Sequence, residues 1–120
     1  MNEEELVKEI LGTIPEEKMV EELVKEKFNV EVLDIKKDYH TENGYIAITS
    51  DGKIAFADLL GPIFDAETLN KYKEIAEELY TFFNVQILIL LFADKDIVVT
   101  EPEHTIDSFA DFEIKLTVAQ

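Results

Sequence analysis

A chain of 120 residues, 47% of them apolar, is one domain by size and long enough to bury a core. It carries 27 acidic against 11 basic residues, a net charge of −16, and every basic residue is lysine; without the arginine fork for phosphate or guanine, and with a negative field, nucleic acid is disfavoured as a ligand. The lack of cysteine excludes disulfides, thiolate metal sites and cysteine nucleophiles together, and no tract of about 18 apolar residues offers a membrane span.

The N-terminus, Met1-Asn-Glu-Glu-Glu, is acidic where a signal peptide would be basic, so the expected location is the cytoplasm. The lysine- and glutamate-rich, cysteine-free composition fits a thermophile. The acidity has two readings, solubility alone or an acidic face for a basic partner.

Asn2 to Leu11 reads as a short helix with Asn2 as cap, acidic residues at its positive end, and an apolar stripe of Leu6, Val7, Ile10 and Leu11. Gly12 stops it. Thr13 and Glu16 have capping-box spacing for a second helix, in which Met19, Val20, Leu23, Val24 and Phe28 recur on one face. Asn29 ends that helix. A strand from Val30 to Tyr39 follows, with imperfect alternation: Val30 and Val32 point one way, Leu33 and Ile35 the other. Its polar far end, Lys36 to Asp38, suits a sheet edge. Thr41 to Gly44 is a turn carrying the Asn-Gly hairpin signal. Tyr45–Thr49 and Lys53–Leu59 are strands joined at Ser50-Asp-Gly52.

Gly61-Pro62 breaks the meander. Asp65 caps a long helix, Ala66–Phe83, whose apolar face runs Leu69, Tyr72, Ile75, Ala76, Leu79, Tyr80 and Phe83. Val85 to Phe92 is apolar on both strand faces, which predicts a strand covered above and below and parallel to an earlier one. Ile97 to Thr100 reads as a strand and His104 to Asp111 as a loop. Phe112 to Val118 alternates as a strand covered on one face. The expected fold is a single α/β (α+β) domain. It has a mixed sheet of about five to six strands, two N-terminal helices and one long central helix, in the order ααβββαβββ.

Phosphate-binding glycine loops, nucleophile elbows and His-x-x-x-His spacing are all missing from the chain. His40 and His104 lie in polar surroundings near turns and read as solvent-exposed. Asp58 is the one carboxylate in an odd place, since it continues the apolar strand face of Ile54 and Phe56. It is the solvated end of a strand, a metal ligand or acid–base group, or a helix cap or member of a buried pair. Asp34 and Lys36 share a strand face and can converge on one atom, or simply lie on a solvated edge. The carboxylates around Glu22 on the second helix read as a solvated face.

The order helix, three-strand meander, helix, buried strand resembles the restriction-endonuclease-like, or PD-(D/E)xK, superfamily over about Glu16 to Phe92. The text Tyr45-Ile-Ala-Ile-Thr-Ser-Asp-Gly-Lys-Ile-Ala-Phe-Ala-Asp-Leu-Leu60 is similar to that superfamily's second and third strands, which often meet at an Asp-Gly turn. The resemblance implies an Asp at the start of the second strand and Glu-x-Lys on the third, the two carboxylates holding a divalent cation. Here the first position falls at Gly44 or Tyr45, the second at Asp58 and the lysine at Leu60. That pattern implies a catalytically dead relative retained for binding. Gly44 to Asn84 is also similar to roadblock and longin-type domains, which dimerise and scaffold other proteins. Both resemblances imply a non-catalytic domain that binds another protein or a second copy of itself, with no cofactor. The alternatives are a Mg²⁺-dependent phosphodiesterase using Asp58 with Glu22 or Asp34, and an acidic decoy for a basic nucleic-acid-binding protein.

Overall fold

The strand Ile87–Ala93 organises the molecule. In a computed structural model, which describes residues 17–38, 40, 41, 43–93, 95–100, 106–108 and 111–118, all seven of its residues are buried. Ile87, Ile89, Leu91 and Ala93 belong to one core cluster and Leu88, Leu90 and Phe92 to another. An unbroken apolar run needs a cover on each face, and each face has one. The first cluster is closed by the helix Ala66–Phe83, through Leu69, Tyr72, Ile75, Ala76 and Leu79. The second is closed by the helix Glu17–Phe28, through Val20, Leu23 and Val24.

In chain order the elements are α1 (Glu17–Phe28), β1 (Val32–Lys37), β2 (Tyr45–Thr49), β3 (Ile54–Leu59), β4 (Ile63–Phe64), α2 (Ala66–Phe83), β5 (Ile87–Ala93), β6 (Val98–Val99), β7 (Ile106–Ser108) and β8 (Phe112–Val118). Six strands form one mixed sheet in the order β1-β2-β3-β5-β8-β7. β1, β2 and β3 are an antiparallel meander. β5 runs parallel to β3 on one side and to β8 on the other. β4 and β6 make a separate parallel pair.

The expected arrangement of two N-terminal helices and a third central one is corrected. The described residues hold two helices in all, one before the sheet and one after its third strand. Among the described residues, the second face of the sheet is covered by α1, through Val20, Leu23 and Val24. The expected helix Asn2–Leu11 and the capping text Thr13–Glu16 lie outside the described residues. Two further corrections concern strands. Ile63–Phe64, which the sequence assigns to no element after the Gly61-Pro62 break, is a strand, and Ile106–Ser108 pairs with β8 inside the expected loop. Both are too short for a period of two to show.

Local chemistry sets the ends of these elements. Asn29 and Asn84 adopt left-handed backbone, with φ of 53° and 54°, and stop α1 and α2. The Asp65 side chain accepts from the Thr68 N–H at 2.9 Å and starts α2. Lys115 of β8 donates to the Lys27 carbonyl at 3.0 Å and lies 5.0 Å from the Phe28 ring centre, which ties the last turn of α1 to the sheet. Gly52, at φ 80°, makes the tight β2–β3 turn.

The irregular alternation of β1 has a physical cause. A bulge lies between Val32 and Asp34. The extra residue, Leu33, faces solvent, while Val32 and Ile35 both pack toward the α1 cluster. The first hairpin is also looser than Asn-Gly suggests. Lys37 pairs with Tyr45, so residues 38–44 form the loop, closed by the Asp38 N–H donating to the Gly44 carbonyl at 2.9 Å.

Candidate functional site

Asp58 sits at the C-terminal end of β3, beside the parallel strand β5, on the sheet face covered by α2. Ligands of open α/β sheets collect at such strand ends. Its side chain is only 3% exposed. One carboxylate oxygen accepts from the Leu59 N–H at 2.8 Å and the other from the Tyr72 hydroxyl at 2.5 Å. Burial raises the Asp58 pKa above its ordinary value, against the hydrogen bonds from Tyr72 and Leu59, the nearby Thr41 hydroxyl and the charge of Lys71. Burial, together with the Asp58 charge, also raises the pKa of Tyr72. The Thr41 hydroxyl stands close enough to favour the ionised carboxylate but outside good hydrogen-bond geometry, so its Oγ1 is buried without a partner.

Beside this pair is a hollow of about 410 Å³, bordered by Asn43, Gly61, Thr68 and Lys71. A second carboxylate on the same face would have to come from β2. In the β2–β3 register Tyr45 lies opposite Ala57, so the next position, opposite Asp58, is Gly44. A Cβ there would stand 2.5 Å from Thr41 Oγ1 and 2.8 Å from Phe56 Cζ. Any side chain at position 44 therefore has to displace a ring that is fully buried in the core. Leu60, two residues beyond Asp58, is itself buried and apolar.

The other two candidate ligands are elsewhere. Glu22 is on α1, which packs on the opposite face of the sheet, and it borders an open depression with Lys25 and Glu26. Asp34 pairs with Ile48, which pairs with Ile54. It is thus four residues along β3 from Asp58, roughly 13 Å at strand rise. Asp34 makes an exposed ion pair with Lys36 at 3.8 Å, worth about 0.2–1 kcal/mol. Asp58, Glu22 and Asp34 do not converge. No group of three or more histidine or carboxylate side chains suited to a metal ion is found among the described residues.

A constellation the sequence did not reveal lies next to this site. Asp38, expected on a polar strand end, is 9% exposed. Its Oδ1 accepts from the His40 N–H at 2.7 Å and lies 2.5 Å from His40 Nδ1. The other ring nitrogen is 3.4 Å from a Glu78 carboxylate on α2. The His40 ring also meets the Phe56 ring edge-on at 6.3 Å. His104 lies outside the described residues. The hydrogen bond to Asp38 raises the His40 pKa above 6.5, partly opposed by desolvation, with Glu78 adding to the rise. A raised folded pKa gives stability that is fully present below pH 6.5 and lost as pH rises through the folded value. His40→Gln is therefore expected to destabilise the protein in mildly acidic solution and to converge with wild type in alkali, as read by denaturant unfolding at pH 6 and pH 9.

Comparison with protein-family models, curated proteins and solved structures gives no match. No helix among the described residues is long and apolar enough to cross a membrane.

Proposed function

We propose that this chain is a non-catalytic protein-interaction domain built on a nuclease-like core that has lost its chemistry. The observation that carries the reading is the state of the strand-end site. Of the three positions a metal-dependent nuclease of this order needs, only Asp58 is acidic, and both of its oxygens are held by Tyr72 and Leu59. The position opposite it, Gly44, is closed by Thr41 and Phe56. The lysine position is the buried Leu60. The sheet order supports the same core: β5 is parallel and adjacent to β3, and a helix covers each face. That arrangement counts against a roadblock-type domain, whose helices would share one side of an antiparallel sheet.

Such a domain contributes surface rather than reactivity. Leu33, Ile48 and Phe82 are large apolar side chains left in water, at 69%, 45% and 81% exposure. The test is cleavage of single- and double-stranded DNA, RNA and a generic phosphodiester with Mg²⁺ or Mn²⁺. The reading expects no metal-dependent turnover and no difference between wild type and Asp58→Asn. Metal-dependent cleavage abolished by Asp58→Asn would replace it with the phosphodiesterase reading.

A further inference from the structure

The α2 face of the sheet is unevenly covered. α2 packs chiefly on β5, and less on β4 and β8, and leaves the β1–β2 ribbon open beside its last turn. Two adjoining hollows of about 260 and 200 Å³ lie there, sharing Ile46 and Phe83. Their floor is Ile46, Ile48, Ile54 and Leu79. Phe82 and Phe83 form one wall, stacked edge to face at 4.8 Å and 77°. The charged residues bordering the groove are Asp34, Asp38 and Glu78 against Lys36 and the titratable His40. Lys36 is already paired with Asp34, and the Glu78 side chain is 70% exposed.

We propose that this groove docks an amphipathic, basic helix of a partner protein. Two apolar side chains one helical turn apart would fill the two hollows, and lysine or arginine beside them would meet the exposed carboxylates of Glu78 and Asp34. The inference rests on the protein-binding reading above and names the surface and the class of partner.

Three rival occupants each meet an obstacle. A strand added to the β1 edge would meet a bulge and the lysine-bearing end of that strand, features that resist edge pairing. A second copy would bring the same acidic rim against itself, between two chains of net charge −16. An anionic membrane surface is repelled by the same charge. A helix carrying apolar anchors at i and i+3 or i+4 with flanking cations matches both the paired hollows and the field.

The probe is a synthetic leucine–lysine peptide with leucines at helical spacing, compared with its leucine–glutamate counterpart. Binding to the full chain is followed by calorimetry and by amide shift mapping. The lysine peptide should bind and shift Ile46, Ile48, Glu78 and Phe83. Phe82→Ala, at a side chain too exposed to hold the fold, should weaken binding at least roughly tenfold. Glu78→Lys should weaken it more than Glu22→Lys, which makes the same charge change on the far face. The proposal is overturned if the two peptides bind alike or the lysine peptide does not bind. It is also overturned if the two charge reversals act equally, if Phe82→Ala has no effect, or if the chain self-associates through Phe82. None of these results depends on cleavage, so failure here and failure of the non-catalytic reading are separable.

Discussion

Gly44→Asp, the substitution that would restore a carboxylate pair across β2 and β3, is expected to destabilise the protein strongly rather than revive a metal site. The first atom of the new side chain falls 2.8 Å from Phe56 Cζ and 2.5 Å from Thr41 Oγ1. Thr41 can turn its hydroxyl away, but Phe56 is fully buried beneath α2. Overpacking of this kind costs about 1–3 kcal/mol. A second carboxylate next to the buried Asp58 adds like-charge repulsion and desolvation, so a total above about 3 kcal/mol is expected. Gly44→Ala isolates the steric part and should lose only about 1–3 kcal/mol. Urea unfolding of both variants gives the comparison. Two near-neutral variants would show that the closure at position 44 yields easily, and the site would then be only one substitution from a carboxylate pair.

Tyr72→Phe carries the second large effect. It removes the hydroxyl that donates to Asp58 and leaves a buried carboxylate oxygen without that donor. Loss of a hydrogen bond to a buried charge costs about 1.5–3 kcal/mol. The deficit depends on pH. The Asp58 pKa is raised in the folded state, so its ionised form is the less stable one there, and protein stability falls as pH rises from the unfolded value of 3.8 through the folded value. Tyr72 offsets part of that loss by favouring the carboxylate. The Tyr72→Phe deficit should therefore be full at a pH above the folded pKa of Asp58 and shrink as acid protonates the carboxylate. A deficit independent of pH would mean that Tyr72 contributes only its ring.

The sequence made the strongest elements plain, and for identifiable reasons. Tyr45–Thr49 and Ala66–Phe83 have the bounds their periodicity predicts, because each has one buried face and a clear stop. Phe112–Val118 has its predicted bounds too, but its alternation fails at the end, where Thr117 is buried and Val118 exposed. β5 was legible because its apolar run has no polar face to turn outward. β4 and β7 were not, since two or three residues carry no period. The β1 bulge appeared in the sequence only as faulty alternation. The odd position of Asp58 was legible, but its partner was not. Tyr72 lies 14 residues away on a helix and reads as an ordinary core aromatic, because nothing in a linear pattern marks a hydroxyl that will meet a carboxylate. Asp38 reads as part of a polar strand end and His40 as solvent-exposed, which it is, so nothing in the sequence marks them as a pair. Only the closure of the 38–44 loop against α2 brings them to Glu78.

On the proposed reading, Asp58 belongs to the framework and the surface beside α2 does the recognising. The measurement closest to that claim is paramagnetic broadening of backbone amide signals on titration with Mn²⁺. If the claim holds, broadening spreads over exposed carboxylates such as those of α1 and spares Gly44, Asp58, Leu59 and Tyr72. Selective loss of those four signals at low Mn²⁺ would mean that the strand end holds a cation, and the account would be wrong.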